Sequence, residues 1–239
     1  MSNQSEVSHA KNVANFFLLI QELKQFGASY NPSNSDLLIA NLEMKHQTAE
    51  SAQQTLNNAL PTFNASTISR HDAFGSLNSM VTRSLGMLRA SGTSAAKVKN
   101  AEQWARKLRG MSKSKAAVVA SATATISTSQ QSFDMKIDLF DKFLAELETE
   151  PKYAPNEVDL TTASLRNLYQ TMDIANKAIK TAAPIVSAAR DTRNTVLYNE
   201  TDGLVLVAKQ IKEYVKAVYG FNNTNYKKVS GIAFRVLSH

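Results

Sequence analysis

The sequence predicts an all-α fold: two tandem, homologous helical-bundle units, each built on one long Pro-kinked helix, in an elongated molecule. Three observations carry this. Apolar residues recur at 3-4 spacing over long stretches, the coiled-coil-like period of a helix with one buried seam. The chain matches itself at an offset of 123 residues. The 239 residues are 43% hydrophobic and 20% charged, enough apolar material for a sizeable core without staples.

The repeat organises the elements. At the 123-residue offset Tyr30 falls on Tyr153, Pro32 on Pro155, Asp36 on Asp159, Leu37 on Leu160, Pro61 on Pro184 and Arg70 on Arg193. Each half opens with an apolar-periodic helix. Phe16, Ile20 and Leu23 mark it in the first half, and Phe133, Ile137, Phe140, Leu144 and Leu147 in the second. A Tyr-x-Pro sequence ends it, because the residue before proline is pushed out of the α region. Ser33 and Asn156 are the expected N-caps of the next helix, with Asp36 and Asp159 in its first turn. Tyr30 and Tyr153 are expected to anchor this turn by packing.

The long helix follows. Leu165, Leu168, Met172, Ala175, Ile179, Ala182, Val186, Ala189 and Arg193 keep their spacing straight through Pro184. An interior proline removes a hydrogen bond at a cost of about 3 kcal/mol, so the unbroken register predicts a kinked continuous helix. Leu42, Ala52, Leu56, Ala59 and Phe63 form the looser first-half match around Pro61. About 40 helical residues at 1.5 Å each span roughly 60 Å. A third helix is marked by Phe74, Leu77, Val81 and Leu88, and by Leu204, Val207, Ile211, Tyr214 and Val218. Gly92 and Gly220 suit its C-terminal stop.

The halves then diverge. Residues 94–110 are helix-compatible and hold the only tryptophan, Trp104, whereas the alternation of residues 231–236 suits a short strand. Residues 111–131 start basic and become rich in Ala, Val, Ser and Thr; both a linker and a helix remain open there. The expected organisation is a first unit at 1–110, a connector at 111–131 and a second unit at 132–239.

Much chemistry is excluded. With no Cys, disulfides, thiol nucleophiles and thiolate metal sites are absent. Glu43 and His46 have the E-x-x-H spacing of di-iron bundles, but such sites use the motif twice, and the matching positions are Arg166 and Tyr169. His9, His46, His71 and His239 do not cluster in sequence. No G-x-S-x-G elbow and no G-x-G-x-x-G or Walker A loop occurs. A geometric pair of carboxylates is the one enzymatic arrangement that sequence leaves open. No catalytic residue, metal or cofactor is expected. Arg70 and Arg193 lie near the inner seam, where each would pair with a carboxylate such as Asp72 or Asp191, snorkel, or grip an anion.

The most distinctive local feature is basic. Between Lys97 and Lys115 stand Lys97, Lys99, Arg106, Lys107, Arg109, Lys113 and Lys115 against Glu102 alone, nearly the whole net charge of +7. Lys99, Arg106, Lys107, Arg109 and Lys113, with Trp104 as a stacking face, are the candidate contacts to an anion or a partner. A solvated helix face, a protein contact, nucleic acid and anionic lipid all fit this composition. No secretion signal opens the chain, and no apolar run spans the roughly 20 residues a membrane helix needs, so a cytoplasmic protein is expected.

Four stretches carry a family resemblance: RKLRG from Arg106, ISTSQQSFD from Ile126, EPKYAPNEVDL from Glu150 and VYGFNNTNYKKVSGIAF from Val218. They resemble a bacterial family of internally duplicated helical proteins that has no assigned function. The resemblance implies the helical, duplicated architecture and no activity. Together these readings point to a non-enzymatic scaffold or interaction protein, self-associating or with another protein. A nucleic-acid-binding protein using residues 97–115 is the alternative.

Overall fold

The computed structural model describes residues 3–110 and 132–237, with side chains from His9 onward. Every regular element among them is helical: α1 (Asn3–Gln25), α2 (Ile39–Gly75), α3 (Leu77–Ala90), α4 (Ala95–Leu108), α5 (Phe133–Glu148), α6 (Thr162–Tyr198), α7 (Leu204–Tyr219) and α8 (Thr224–Ser230). Short 3-10 turns at Ser35–Leu37 and Val158–Leu160 precede α2 and α6. The connector expected at 111–131 lies outside the described residues, together with Lys113 and Lys115.

Helix ends follow local chemistry, with two corrections to the expected caps. Ser33 and Asn156 cap nothing, because each Tyr-x-Pro sequence leads into a 3-10 turn before the long helix starts. Asn34 caps the first turn by accepting from the Asp36 N–H at 3.0 Å. Thr161 Oγ1 accepts from the Ser164 N–H at 3.3 Å at the start of α6. Asp36 and Asp159 accordingly sit in the 3-10 turns. The tyrosines close these turns: Tyr30 Oη donates to the Leu37 carbonyl at 2.8 Å and Tyr153 Oη to that of Leu160 at 2.7 Å. Gly92 and Gly220 adopt φ of 72° and 81° just past α3 and α7, where a side chain would be strained. Phe74 ends α2 instead of opening α3, and Val218 is 49% exposed near the end of α7.

The two long helices are both 37 residues and both contain their proline, Pro61 in α2 and Pro184 in α6. The α6 seam is buried at Leu165, Met172, Ala175, Ile179, Ala182, Val186, Ala189 and Leu197. Arg193 occupies one seam position at 3% exposure. Its guanidinium donates to Asn194 Oδ1 at 3.0 Å.

Compactness groups the helices differently from the order of the chain. One compact unit combines Met1–Thr62 with Ala183–His239, and the other is Phe63–Ala182. Neither coincides with residues 1–110 or 132–239. The reason is long-range burial: α1 hides its apolar face with α7 and α8 from the far end of the sequence.

In the first unit Val13, Phe16, Leu19, Ile20 and Leu23 of α1 share a core with Leu42 and Ala49 of α2, Leu197 of α6, Leu204, Val207, Ile211 and Val215 of α7, and Val229 of α8. The C-terminal segment is seated on this core. No strand occurs among the described residues; helix side chains hold this segment in place of a neighbouring strand. The buried Asn12 amide donates to the Arg235 carbonyl at 2.7 Å and accepts from its N–H at 3.0 Å. Asn15 donates to the Ala233 carbonyl at 2.6 Å. Phe234 meets Phe16 edge-on at 6.4 Å. Lys212 donates to the Ile232 carbonyl and lies over the Phe234 ring, and burial lowers the pKa of its ammonium.

In the second unit Ile137, Leu139, Phe140, Phe143, Leu144 and Leu147 of α5 pack with Leu77, Val81, Leu85 and Leu88 of α3, Ala101, Ala105 and Leu108 of α4, and Leu165 and Met172 of α6. Ser132 caps α5 by accepting from the Met135 N–H at 3.2 Å. The small Ala101 and Ala105 let α4 lie close against its neighbours.

Candidate functional site

The α4 surface is built by its own burial pattern. Ala101, Ala105 and Leu108 take the inner face of the helix, and the cations fall on the remaining ones. Ser94 caps the helix by accepting from the Lys97 N–H at 3.5 Å, and Arg106 and Lys107 occupy its last turn, where cations favour the negative end of the helix dipole. Lys99 is exposed; Arg106, Lys107, Arg109 and Trp104 are half-buried.

Their partners are few. Glu102, the one acid of the segment, is taken by Arg89 of α3 at 2.7 Å. Arg109 donates to Thr82 Oγ1 at 2.8 Å, a neutral acceptor. Lys107 Nζ lies 4.5 Å from the Trp104 ring centre and Lys142 Nζ of α5 lies 5.7 Å from it. The indole therefore carries two of the chain's own ammonium groups, an arrangement worth about 0.5–1 kcal/mol each at exposed sites. Among the described residues Lys99, Arg106, Lys107 and Arg109 form no ion pair. The structure thus gathers Arg106, Lys107, Arg109 and Trp104 beside Lys142, while Lys113 lies outside the described residues.

The other sequence candidates find structural partners. Glu43 pairs with Lys24 at 2.6 Å, and His46 lies against Phe17 with ring centres 5.2 Å apart. Among the described residues no group of three or more His, Asp or Glu could hold a metal ion. His71 and Asp72 approach to 3.6 Å in full exposure. Arg70 stacks on Phe133 at 4.1 Å.

No protein family, curated protein or solved structure matches this chain.

Two features went unread in the sequence. One is the polar cluster of His9, Asn12 and Tyr198, with Tyr198 Oη 2.7 Å from His9 Nδ1 and 3.1 Å from Asn12 Nδ2; its signal is a pair of polar residues at seam positions four and seven before Phe16. The other is an ion pair with its signs exchanged. In α5 and α6, Arg166 meets Glu148 at 2.7 Å and also Asp141, and these acids raise the pKa of its guanidinium. Arg166 lies 123 residues beyond Glu43, and Glu148 lies 124 beyond Lys24.

A prediction follows from that exchange. Lys24→Glu puts two acids together, and the double variant Lys24→Glu/Glu43→Lys restores an ion pair. Exposed pairs contribute up to about 1 kcal/mol. The single variant is expected to unfold at lower urea concentration and the double variant to recover most of the loss; absence of recovery would refute the pairing.

Proposed function

We propose that this chain is a non-enzymatic interaction protein that arose by tandem duplication and presents the outer faces of its long helices to another protein. The observation that carries the reading is apolar side chains left outside the seam: Ile68 of α2 and Ile174 and Ile185 of α6 are 62%, 68% and 58% exposed. Leaving a large aliphatic side chain in water forgoes about 1.5–3 kcal/mol of burial.

Support for duplication lies in the repeated element order. Each series runs from a helix to a 3-10 turn, a 37-residue helix, a shorter helix, a left-handed glycine and a capped helix. Apolar buried residues of α1 and α5 correspond at five positions: Val13 with Ile137, Phe16 with Phe140, Leu19 with Phe143, Ile20 with Leu144 and Leu23 with Leu147. Pro61 and Pro184 fall at one position of this pattern, and a shared bend there shapes both long helices. A cytoplasmic location stays part of the proposal; no helix among the described residues is long and apolar enough to cross a membrane.

A photo-crosslinking amino acid at position 174 or 185 tests the interaction. One discrete adduct that disappears when the neighbouring exposed Lys177 or Thr181 is replaced by Trp is the expected result. The same adducts from a control position on α4 would overturn it.

One observation favours nucleic acid as a second partner: Lys99, Arg106, Lys107 and Arg109 lack carboxylate partners among the described residues. Each phosphate neutralised adds about 0.7–0.9 to the slope of log affinity against log salt. On this reading the protein is retained on heparin or DNA at low salt. Reversal of Arg106, Lys107 and Arg109 to Glu abolishes retention with helicity unchanged in circular dichroism. Wild-type protein that flows through at low salt removes the nucleic-acid reading and leaves the first intact.

A further inference from the structure

A groove of about 550 Å³ opens on the first unit. One wall is apolar, formed by Ala10, Val13, Ala14 and Phe17 of α1, and the other is polar, formed by His46, Glu50, Gln53 and Gln54 of α2. The corresponding groove between α5 and α6 provides an internal comparison. On the register that matches their buried seams, Ala10 corresponds to Asp134, Phe17 to Asp141, Gln53 to Asn176 and Asn57 to Lys180.

In the second unit those positions bridge the two helices. Asp134 accepts from Asn176 at 2.7 Å and pairs with Lys180, and these donors hold its carboxyl below the ordinary range. Asp141 pairs with Arg166. In the first unit the bridging acids are replaced by Ala10 and Phe17, and the groove is left open. Phe17 is 50% exposed. Glu50 makes no ion pair among the described residues. Gln53 Nε2 turns to Asn57 Oδ1 at 3.1 Å, and the buried Gln53 Oε1 accepts no hydrogen bond.

We propose that the α1/α2 groove binds a small organic cation with an apolar body, its ammonium or amidinium group on Glu50 and its body against Ala10, Ala14 and Phe17. The volume lies within the roughly 300–1,000 Å³ of small-ligand pockets. The polar wall holds one acceptor without a hydrogen-bond donor, Gln53 Oε1, Glu50 supplies the complementary charge, and the Phe17 ring offers a face that attracts a cation. The comparison of the two hairpins rests on the duplication reading; the groove and its charges do not.

The test uses the full chain and three probes of similar size: 2-phenylethylammonium, 3-phenylpropanol and 3-phenylpropionate, titrated by calorimetry and by saturation-transfer NMR. The ammonium probe is expected to bind at least tenfold more tightly than the other two. Glu50→Gln is expected to erase that preference, and Phe17→Ser to weaken the ammonium probe several-fold while circular dichroism stays unchanged. Equal binding of all three probes, no binding of any, or a preference that survives Glu50→Gln overturns the proposal. So does a wild-type dimer that Phe17→Ser converts to monomer in sedimentation, because the groove would then hold a second copy. The Lys24/Glu43 exchange reports on the ion pair matched between the hairpins, so its failure is separable from failure here.

Discussion

Phe140→Ala is expected to lower the stability of the second compact unit by about 3–5 kcal/mol, the usual cost of emptying an aromatic site in a packed core. Phe140 is fully buried and lies beside Phe143 with ring planes 18° apart. It also touches the one place where α5, α3, α4 and α6 share a cluster, so neighbouring chains can collapse only partly into the space. Domains have about 5–15 kcal/mol in total, and a loss of this size moves the unfolding transition far down the denaturant axis. Urea unfolding followed by circular dichroism checks it. Phe17→Ala is the control: that ring is half-exposed, and its removal should shift the midpoint little. A Phe140→Ala effect no larger than that of Phe17→Ala would refute this description of the core.

Asn12→Ala is expected to release the C-terminal segment and to cost about 2 kcal/mol, because a buried amide with three partners is removed at once. Asn12 is 2% exposed and bonds Tyr198 Oη and both backbone groups of Arg235. Among the described residues, no other side chain bonds both the N–H and the carbonyl of one residue in this segment. Limited trypsin digestion reads the release directly, since cleavage after Arg235 needs a mobile backbone. The variant should lose the peptide from Val236 to His239 much faster than wild type, and Asn15→Ala, which removes one exposed bond, should have a smaller effect. Equal cleavage rates in the three proteins would show that the clasp does not hold the segment.

Local pattern made most of the helical elements readable. The 3-4 spacing from Leu165 to Arg193 marked a single helix through Pro184, since a helix buries what its own period places on one face. Gly92 and Gly220 were readable as stops, because few other residues accept a left-handed backbone. The caps at Ser33 and Asn156 were misread: a 3-10 turn and an α-helix share the same opening chemistry, and only the path taken by Tyr30 and Tyr153 to the carbonyls of Leu37 and Leu160 distinguishes them. Residues 231–236 alternate like a strand, yet amide side chains of α1 satisfy their backbone. In the α4 segment the excess of cations was legible, but the occupation of Trp104 by Lys107 and Lys142 was not, because Lys142 comes from another helix.

The sequence by itself determined the class of fold, the lengths and stops of most helices, and the lack of any thiol chemistry. These depend on periodicity and residue type, which act over a few residues. Only the tertiary structure decided that α1 shares its core with α7 and α8, that Glu43 pairs with Lys24, and that the α1/α2 groove is open whereas Asp134 bridges α5 to α6. Such outcomes depend on burial between segments far apart in sequence. Many pairings would satisfy each helix's period equally well, and the choice among them falls to the total apolar surface and the charges that all segments hide together.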